Sequence, residues 1–304
     1  MAVDYDVYYL ALSALQKCVR RGDLSGALRF AKAAWLENSL GLHSRLFTIL
    51  FEDCGRDLST LRAFSESSFS HKDLDAVLHL VGVLARSGKS HDSFGASWYV
   101  CRRYDYDSIP EKYSKLDYLR ERWSFTGLDT YDSLGIPESL SWMPRFLGVA
   151  ARYDRESLSP AAMYLSAIDC TSGNSFTFVD ECGEAANIDG FPLFALDKHT
   201  RPGLHILSLL ADYLTKFSVC TLEDLGMYVF LREGCYLKNK MVSADGVDFW
   251  QMLCDGMGWG KYVSGKILDI IPADIFHQLD LARSHILTTK YASTLRKLNS
   301  VVVP

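Results

Sequence analysis

The chain has 304 residues, with 32 Lys plus Arg against 37 Asp plus Glu, so its formal net charge is -5. Hydrophobic residues make up 48%, which excludes a disordered chain because their burial offsets the entropy lost on ordering. The negative charge also excludes a protein that coats nucleic acid through bulk positive charge, and the length allows one large domain or two ordinary ones.

Apolar residues in the N-terminal part repeat every three or four positions, the spacing of one helix face. The first stripe covers 7–18 and is followed by Gly22, which favours a left-handed helix end, and by Asp23, a good cap for the next helix. A second stripe covers 24–35 and a third covers 42–51. Short connections between such helices predict an antiparallel helical hairpin.

The helical pattern continues along the chain but is interrupted between residues 170 and 200. Glycines punctuate this segment and its residues 175–179 alternate weakly, which predicts a long irregular loop with a short β-hairpin. We therefore expect an all-α, multi-helix globular fold. The loop divides an N-terminal helical region, 1–169, from a loop and C-terminal helical region, 170–304, which we expect to pack together as one unit.

The residue patterns of several protein classes are missing from the sequence. The eight cysteines include no C-x-x-C pair, the eight histidines have no zinc-ligand spacing, and no nucleophile motif is present. Residues 87–90 are the nearest match to a phosphate loop, but the end of a helix explains them better. These observations favour a non-enzymatic protein with no catalytic residue, no metal ion and no cofactor.

The start of the chain lacks the pattern of a signal peptide, and no window approaches about 18 uninterrupted apolar residues. We therefore expect a cytoplasmic protein with reduced thiols that makes no membrane contact. A viral protein in the cytoplasm of its host would show the same pattern.

The string 197–203, DKHTRPG, is the densest group of polar residues and precedes a predicted helix. His199 and Arg201 could hold a phosphate beside exposed backbone amides of the helix N-terminus. Asp197 could instead orient His199 as the general base of an enzyme that acts on a phosphate-bearing substrate. In a purely structural interpretation, Thr200 caps the helix and Asp197 pairs with Arg201.

Basic residues are concentrated in two segments although the whole chain is acidic. Residues 17–32 contain five Lys or Arg against one Asp, a local charge of 5 − 1 = +4, and residues 261–304 contain six against three, 6 − 3 = +3. A solvated helix face explains such charges, and so does contact with phosphates. The predicted contacts with nucleic acid or a partner protein are Lys17, Arg20, Arg21, His199, Arg201, Arg296 and Lys297.

One family resemblance rests on residues 14–23, ALQKCVRRGD, followed by Ala27-Leu28, the apolar residues 46–50 and the sequence FEDCG at 51–55. Together they resemble the helical C-terminal region of replication-associated recombination AAA+ ATPases of the RarA/MgsA type, relatives of clamp loaders. FEDCG departs at two positions from that family's Ser-Glu-Asp-Ile-Gly motif. The resemblance covers roughly residues 8–60 and implies a helical region that supports oligomerisation, without the ATPase module.

The resemblance implies a stand-alone relative of that region, of the kind that a phage would encode, acting as a non-catalytic accessory protein of DNA replication, recombination or transcription. Its partner would be DNA or a polymerase-type protein, and it would act as a monomer or a homo-oligomer. Lys17, Arg20 and Arg21 would then dock a phosphate or an acidic partner, unless Asp53 forms an internal salt bridge with one of the arginines. The enzyme with a site at 197–201 and an oligomeric scaffold stay open as alternatives.

Overall fold

The computed structural model of the protein describes residues 2–54, 58–66, 70–89, 186–214, 220–233, 259–263, 266–269, 271–272 and 274–302. Helices account for most of these residues, which confirms the expected all-α fold. The helices are α1 (Tyr5–Arg20), α2 (Leu24–Cys54), α3 (Leu58–Glu66), α4 (Leu74–Arg86), α5 (Arg201–Leu214), α6 (Leu222–Glu233), α7 (Gly260–Val263), α8 (Ile275–Thr289) and α9 (Ala292–Asn299).

The predicted loop is described from residue 186 onwards and contains a short hairpin, as expected. Strands β1 (Asn187–Ile188) and β2 (Phe191–Pro192) pair antiparallel. The two residues between them, Asp189 and Gly190, have φ of 49° and 76°, the left-handed region that tight hairpin turns require. A 3-10 turn, Leu193–Ala195, follows directly. The alternating residues 175–179 lie outside the described part of the chain.

The turn between α1 and α2 forms as its sequence predicts. Gly22 has φ 67°, and the amide of Asp23 donates to the carbonyl of Cys18 at 2.9 Å, which closes the end of α1. The carboxylate of Asp23 then accepts a hydrogen bond from the amide of Gly26 at 2.9 Å and caps α2. Helices α1 and α2 consequently form the predicted hairpin and pack closely along their length.

Helix α2 is broken at Asn38, which has the non-helical angles φ -154° and ψ 88°. Its Oδ1 accepts from the amide of Gly41 at 2.9 Å and so caps the second half of the helix. The break separates the two apolar stripes that predicted two helices. A Cβ at Gly41 would lie 2.2 Å from Oη of Tyr8, so α1 approaches the break this closely only because Gly41 has no side chain.

The core lies between α1, α2 and α4, and extends to the C-terminal elements through α1. Helix α1 contacts the 3-10 turn Leu193–Ala195 and α9, while α5 packs against α6 and α8. The rings of Phe30 and Phe191, both buried, meet edge to face at 5.7 Å and join α2 to β2. The division of the chain at residue 170 stays a prediction because residues 90–185 lie outside the described ranges.

None of the helices in the described ranges is both long enough and apolar enough to cross a membrane.

The contact between Tyr8 and Gly41 predicts a specific pair of stability effects. Gly41→Ala is expected to lower the free energy of unfolding by about 1–3 kcal/mol, because the new methyl group collides with the buried Tyr8 hydroxyl and with the side-chain amide of Asn38. Tyr8→Phe removes the hydroxyl but leaves the contact with Asn38, so it should restore part of the loss, a coupling that urea denaturation of the four variants measures. Gly82→Ala is the control, since its Cβ would meet only the ends of two side chains, Arg86 at 3.3 Å and Leu24 at 3.8 Å. Equal losses from Gly41→Ala with and without Tyr8→Phe would contradict the assignment.

A second prediction concerns His43, which is buried beside Phe47 and His71. Burial, and then the charge of His71, lowers the pKa of His43 from 6.5 to about 4. The unfolded chain therefore takes up a proton at His43 at a higher pH than the folded chain does. The free energy of unfolding should fall, on the order of 2 kcal/mol, as the pH falls from 6.5 to about 4.

His43→Gln removes this titration, so its unfolding free energy should depend much less on pH in that window. Urea denaturation at several pH values compares it with the wild type and with His71→Gln as a control. An equally steep loss in His43→Gln would assign the acid sensitivity to other groups.

Candidate functional site

The string 197–203 forms the turn that enters α5, and its own side chains hold it in shape. The Asp197 carboxylate accepts from the amide of His199 at 2.9 Å, and the Asp197 carbonyl accepts from the amide of Thr200 at 3.0 Å. Thr200 Oγ1 accepts from the amide of Gly203 at 3.2 Å, so Thr200 caps α5 as the structural interpretation predicted. A Cβ at Gly203 would lie 2.1 Å from the Asp197 carbonyl oxygen, so this turn requires glycine there.

Three backbone amides at the start of α5 are already occupied. Those of His199, Thr200 and Gly203 donate within the turn, and Pro202 has no amide hydrogen. These three amides are therefore not available to a phosphate. An anion bound at this position would depend mainly on side chains.

Asp197 pairs with Lys17 rather than with Arg201. Nζ of Lys17 lies 2.5 Å from Oδ2 of Asp197, and the two side chains are 3% and 5% exposed. Burial alone would raise the pKa of Asp197, but the Lys17 ammonium and the bond from His199 hold it well below its usual range. Lys17 also donates to Ser13 Oγ at 3.2 Å, and that hydroxyl donates to the carbonyl of Ala195 at 2.8 Å.

The two arginines at the end of α1 also bind within the fold. Arg20 is buried, with Nε 2.5 Å from Asp53 and Nη2 2.8 Å from Glu52, so the internal salt bridge expected for Asp53 is present. Arg21 lies over the ring of Phe194 at 3.7 Å and donates to the carbonyl of Glu233 at 2.7 Å. Lys17 and Arg21 therefore join α1 to the C-terminal part of the described structure, and Arg20 joins α1 to α2.

Arg283 is a buried cation that the sequence reasoning counted only as part of a basic segment. Its guanidinium binds both carboxylate oxygens of Glu233, at 2.6 and 2.7 Å, and donates to the carbonyl of Leu196 at 2.8 Å. Its side chain has no exposed surface. The sequence does indicate that Arg283 is buried, because it shares one face of α8 with Leu279 and Leu287 at a spacing of four residues.

A groove with two adjoining parts lies beside the string, and we call them the outer and the inner part. Both parts are lined by Tyr9, His199 and Thr200. The outer part has a volume of about 570 Å³ and the inner part about 410 Å³. Tyr5 and Arg201 also line the outer part. The inner part is also lined by Gln16, Lys17, Arg20, Arg45, Glu52, Asp197, Lys198, Phe230 and Trp259.

The outer part combines exposed aromatic rings with His199 and Arg201, and one exposed carboxylate, Asp6, also lines it. Tyr5 and Tyr9 are 60% and 57% exposed, and their rings stack with centroids 6.0 Å apart and an interplanar angle of 23°. Arg201 is exposed at the start of α5, and His199 borders both parts of the groove. Exposed aromatic faces beside cations can stack with nucleobases while the cations contact phosphates.

The geometry of His199 disfavours a general base. Its side chain is 59% exposed, and Nδ1 lies 3.5 Å from Asp197 Oδ2, at the limit of hydrogen bonding. The same carboxylate oxygen is taken by Lys17 at 2.5 Å. A general base is oriented by a short bond to its carboxylate, so the arrangement gives the enzymatic alternative little support.

The other predicted contacts, Arg296 and Lys297, lie on α9 and line neither part of the groove. Arg296 is exposed, whereas Lys297 forms ion pairs with Glu37 and, at 3.5 Å, with Asp4. The structure therefore brings His199 and Arg201 together in the outer part and leaves these two residues elsewhere. The homo-oligomer stays a prediction.

Within the described ranges, no group of three or more His, Cys, Asp or Glu side chains is placed to hold a metal ion. No protein-family model matches the chain, and neither a curated protein nor a solved structure matches it. The resemblance to the RarA/MgsA type is therefore still a prediction, and the function must be argued from the chain's own residues.

The buried pair of Lys17 and Asp197 predicts large stability effects. Lys17→Met or Asp197→Asn alone should lower the free energy of unfolding by about 3–5 kcal/mol, because each change leaves a buried polar partner without its counter-charge. The double variant should lose less than the sum of the two, as denaturant unfolding will measure. The exposed pair Arg62–Glu66 is the matched control, and its loss should cost less than about 1 kcal/mol. Strictly additive losses at 17 and 197 would contradict a direct interaction.

Proposed function

We propose that the protein is a non-catalytic accessory protein of DNA replication, recombination or transcription that binds single-stranded nucleic acid in the groove. The observation that supports this best is the stacked, exposed pair of Tyr5 and Tyr9 beside His199 and Arg201. Proteins that bind single strands combine aromatic platforms for bases with basic side chains for the backbone. The process is taken from the resemblance to the RarA/MgsA type, which also leaves a polymerase-type protein open as a partner.

The proposal moves the phosphate contacts from the end of α1 to the groove. Lys17 and Arg20 are buried in ion pairs with Asp197, Asp53 and Glu52, so their charges already have partners within the fold. The exposed guanidinium of Arg201 and the exposed imidazole of His199 line the same part of the groove as the tyrosines, which supports their assignment as phosphate contacts.

The negative net charge of the chain limits which interactions can provide affinity for nucleic acid. A total of -5 repels a polyanion at long range, so affinity must come from a few local contacts and from stacking. Because few phosphates would be neutralised, the affinity should decline only moderately as salt increases.

Fluorescence anisotropy with a labelled single-stranded oligonucleotide tests the proposal. Tyr9→Ala should raise Kd about tenfold through the loss of base stacking. Arg201→Ala should also raise Kd, and should reduce the slope of log Kd against log salt by about 1, since one phosphate contact is lost.

Two exposed residues outside the groove serve as matched controls. Tyr213→Ala removes a tyrosine that is 52% exposed on α5, and Arg62→Ala removes a cation from α3. Both should leave Kd within about twofold of the wild type, a change of less than about half a kcal/mol. No binding by the wild type, or equal losses in the control variants, would remove the proposal.

A further inference from the structure

Both carboxylates that line the inner part of the groove already bind a cation within the fold. Asp197 is paired with Lys17 at 2.5 Å, and Glu52 with Arg20 at 2.8 Å. Arg20 also binds Asp53 at 2.5 Å and is shared between the two carboxylates. Two further cations line the inner part, Arg45 and Lys198, and they bring the total to four cations against three carboxylates, an excess of 4 − 3 = +1.

Arg45 is half-buried on α2 and forms no ion pair among the described residues. Its guanidinium donates from Nη2 to the neutral amide oxygen of Gln16, while Nε is buried with no hydrogen-bond partner among those residues. A guanidinium carries five donor hydrogens arranged to bind planar anions. Among the described residues, these donor hydrogens bind no anionic group.

Lys198 is also half-buried and also lacks a salt bridge within the part of the chain that the structure describes. Its ammonium contacts Sδ of Met227, a weak acceptor, and lies 4.8 Å from the centre of the Phe230 ring. Burial lowers the pKa of Lys198, and the charges of Asp197 and Glu223 only partly oppose this. Neither neighbour supplies a full counter-charge at contact distance.

Partly buried cations without counter-charges favour the binding of an anion, because the anion replaces lost hydration. Arg45 and Lys198 form no ion pair among the described residues, and a doubly charged group attracts both of them more strongly than a singly charged group does. A phosphomonoester carries about -1.5 to -2 at neutral pH, whereas each phosphate inside a strand carries one charge. The aromatic rings of Tyr9, Phe230 and Trp259 line the same space, and its 410 Å³ falls within the range of small-ligand sites.

We propose that Arg45 and Lys198 form a binding site for the terminal phosphate of a nucleotide, in the inner part of the groove. The phosphate would belong to the end of a nucleic-acid strand or to a free nucleoside monophosphate. The strand-end form rests on the proposed function, and it gives the groove a preference for phosphorylated ends over internal positions.

The experiment compares oligonucleotides of one sequence with a phosphate at the 5′ end, at the 3′ end or at neither. Anisotropy of the full chain should show about tenfold tighter binding to one phosphorylated form than to the hydroxyl-ended strand. Arg45→Gln and Lys198→Met should each remove that preference, so that the phosphorylated and the hydroxyl-ended strand bind the variant with the same Kd to within about twofold. The exposed residues Arg62 and Lys72 provide the matched controls Arg62→Gln and Lys72→Met, which should keep the preference.

Competition with deoxyadenosine monophosphate separates the two sources of the phosphate. Displacement of the phosphorylated strand by the mononucleotide at concentrations near its own Kd assigns the site to free nucleotides as well. Failure to displace, with the preference for phosphorylated ends intact, assigns it to strand ends alone.

The experiment distinguishes failure of the phosphate site from failure of the single-strand function. Equal affinity for all three strands overturns the phosphate site and leaves the single-strand function standing. Binding of the mononucleotide that Arg45→Gln abolishes, with no strand bound, overturns the single-strand function and keeps the phosphate site. A preference that survives in both Arg45→Gln and Lys198→Met, or equal competition by polyglutamate, overturns the assignment of these residues to a nucleotide phosphate.

Discussion

Residues 195–197 are held from two sides by buried polar groups, and much of the described structure depends on this contact. From α1, Ser13 donates to the carbonyl of Ala195 and Lys17 pairs with Asp197. From α8, Arg283 donates to the carbonyl of Leu196. A buried charge is tolerated only with its partner in place, so these bonds fix the position of the segment far more tightly than apolar contact alone would. These bonds also fix one side of the groove, because Lys198, His199 and Arg201 line it and follow directly in the chain.

The same contact explains why prominent basic residues are poor candidates for ligand contacts. Lys17 and Arg20 stand out in the sequence because they cluster beside a turn, yet that position also brings them to Asp197 and Asp53. Arg45 attracts no attention in the sequence, since its neighbours Leu46 and Phe47 are apolar and buried. In the folded chain, however, its guanidinium lines the inner part without an acidic partner among the described residues.

The predictable features of this protein are local ones. The stripes 24–35 and 42–51 predicted two helices, and the break at Asn38 separates them. Gly22 and Asp23 predicted the turn, and Thr200 predicted the start of α5. Capping and periodicity depend on a few neighbouring residues, so the sequence contains the needed information. The pairing of Lys17 with Asp197 spans 180 positions and depends on how the helices pack, which periodicity does not report. The Tyr5–Tyr9 platform was likewise missed, although a spacing of four residues places both rings on one helix face.

The basic side chains are exposed in the outer part of the groove and half-buried in the inner part. We infer that the outer part provides affinity for a strand and the inner part selectivity for its end. Arg201 and His199 are exposed, so salt screens their attraction for phosphate strongly. Arg45 and Lys198 are half-buried, where water and ions weaken a charge pair less. Under the two proposals, the outer part captures any single strand, while the inner part discriminates between ends. The proposed function would also gain from the acidity of the chain, because the overall charge opposes nonspecific coating of nucleic acid while a few placed cations retain contact.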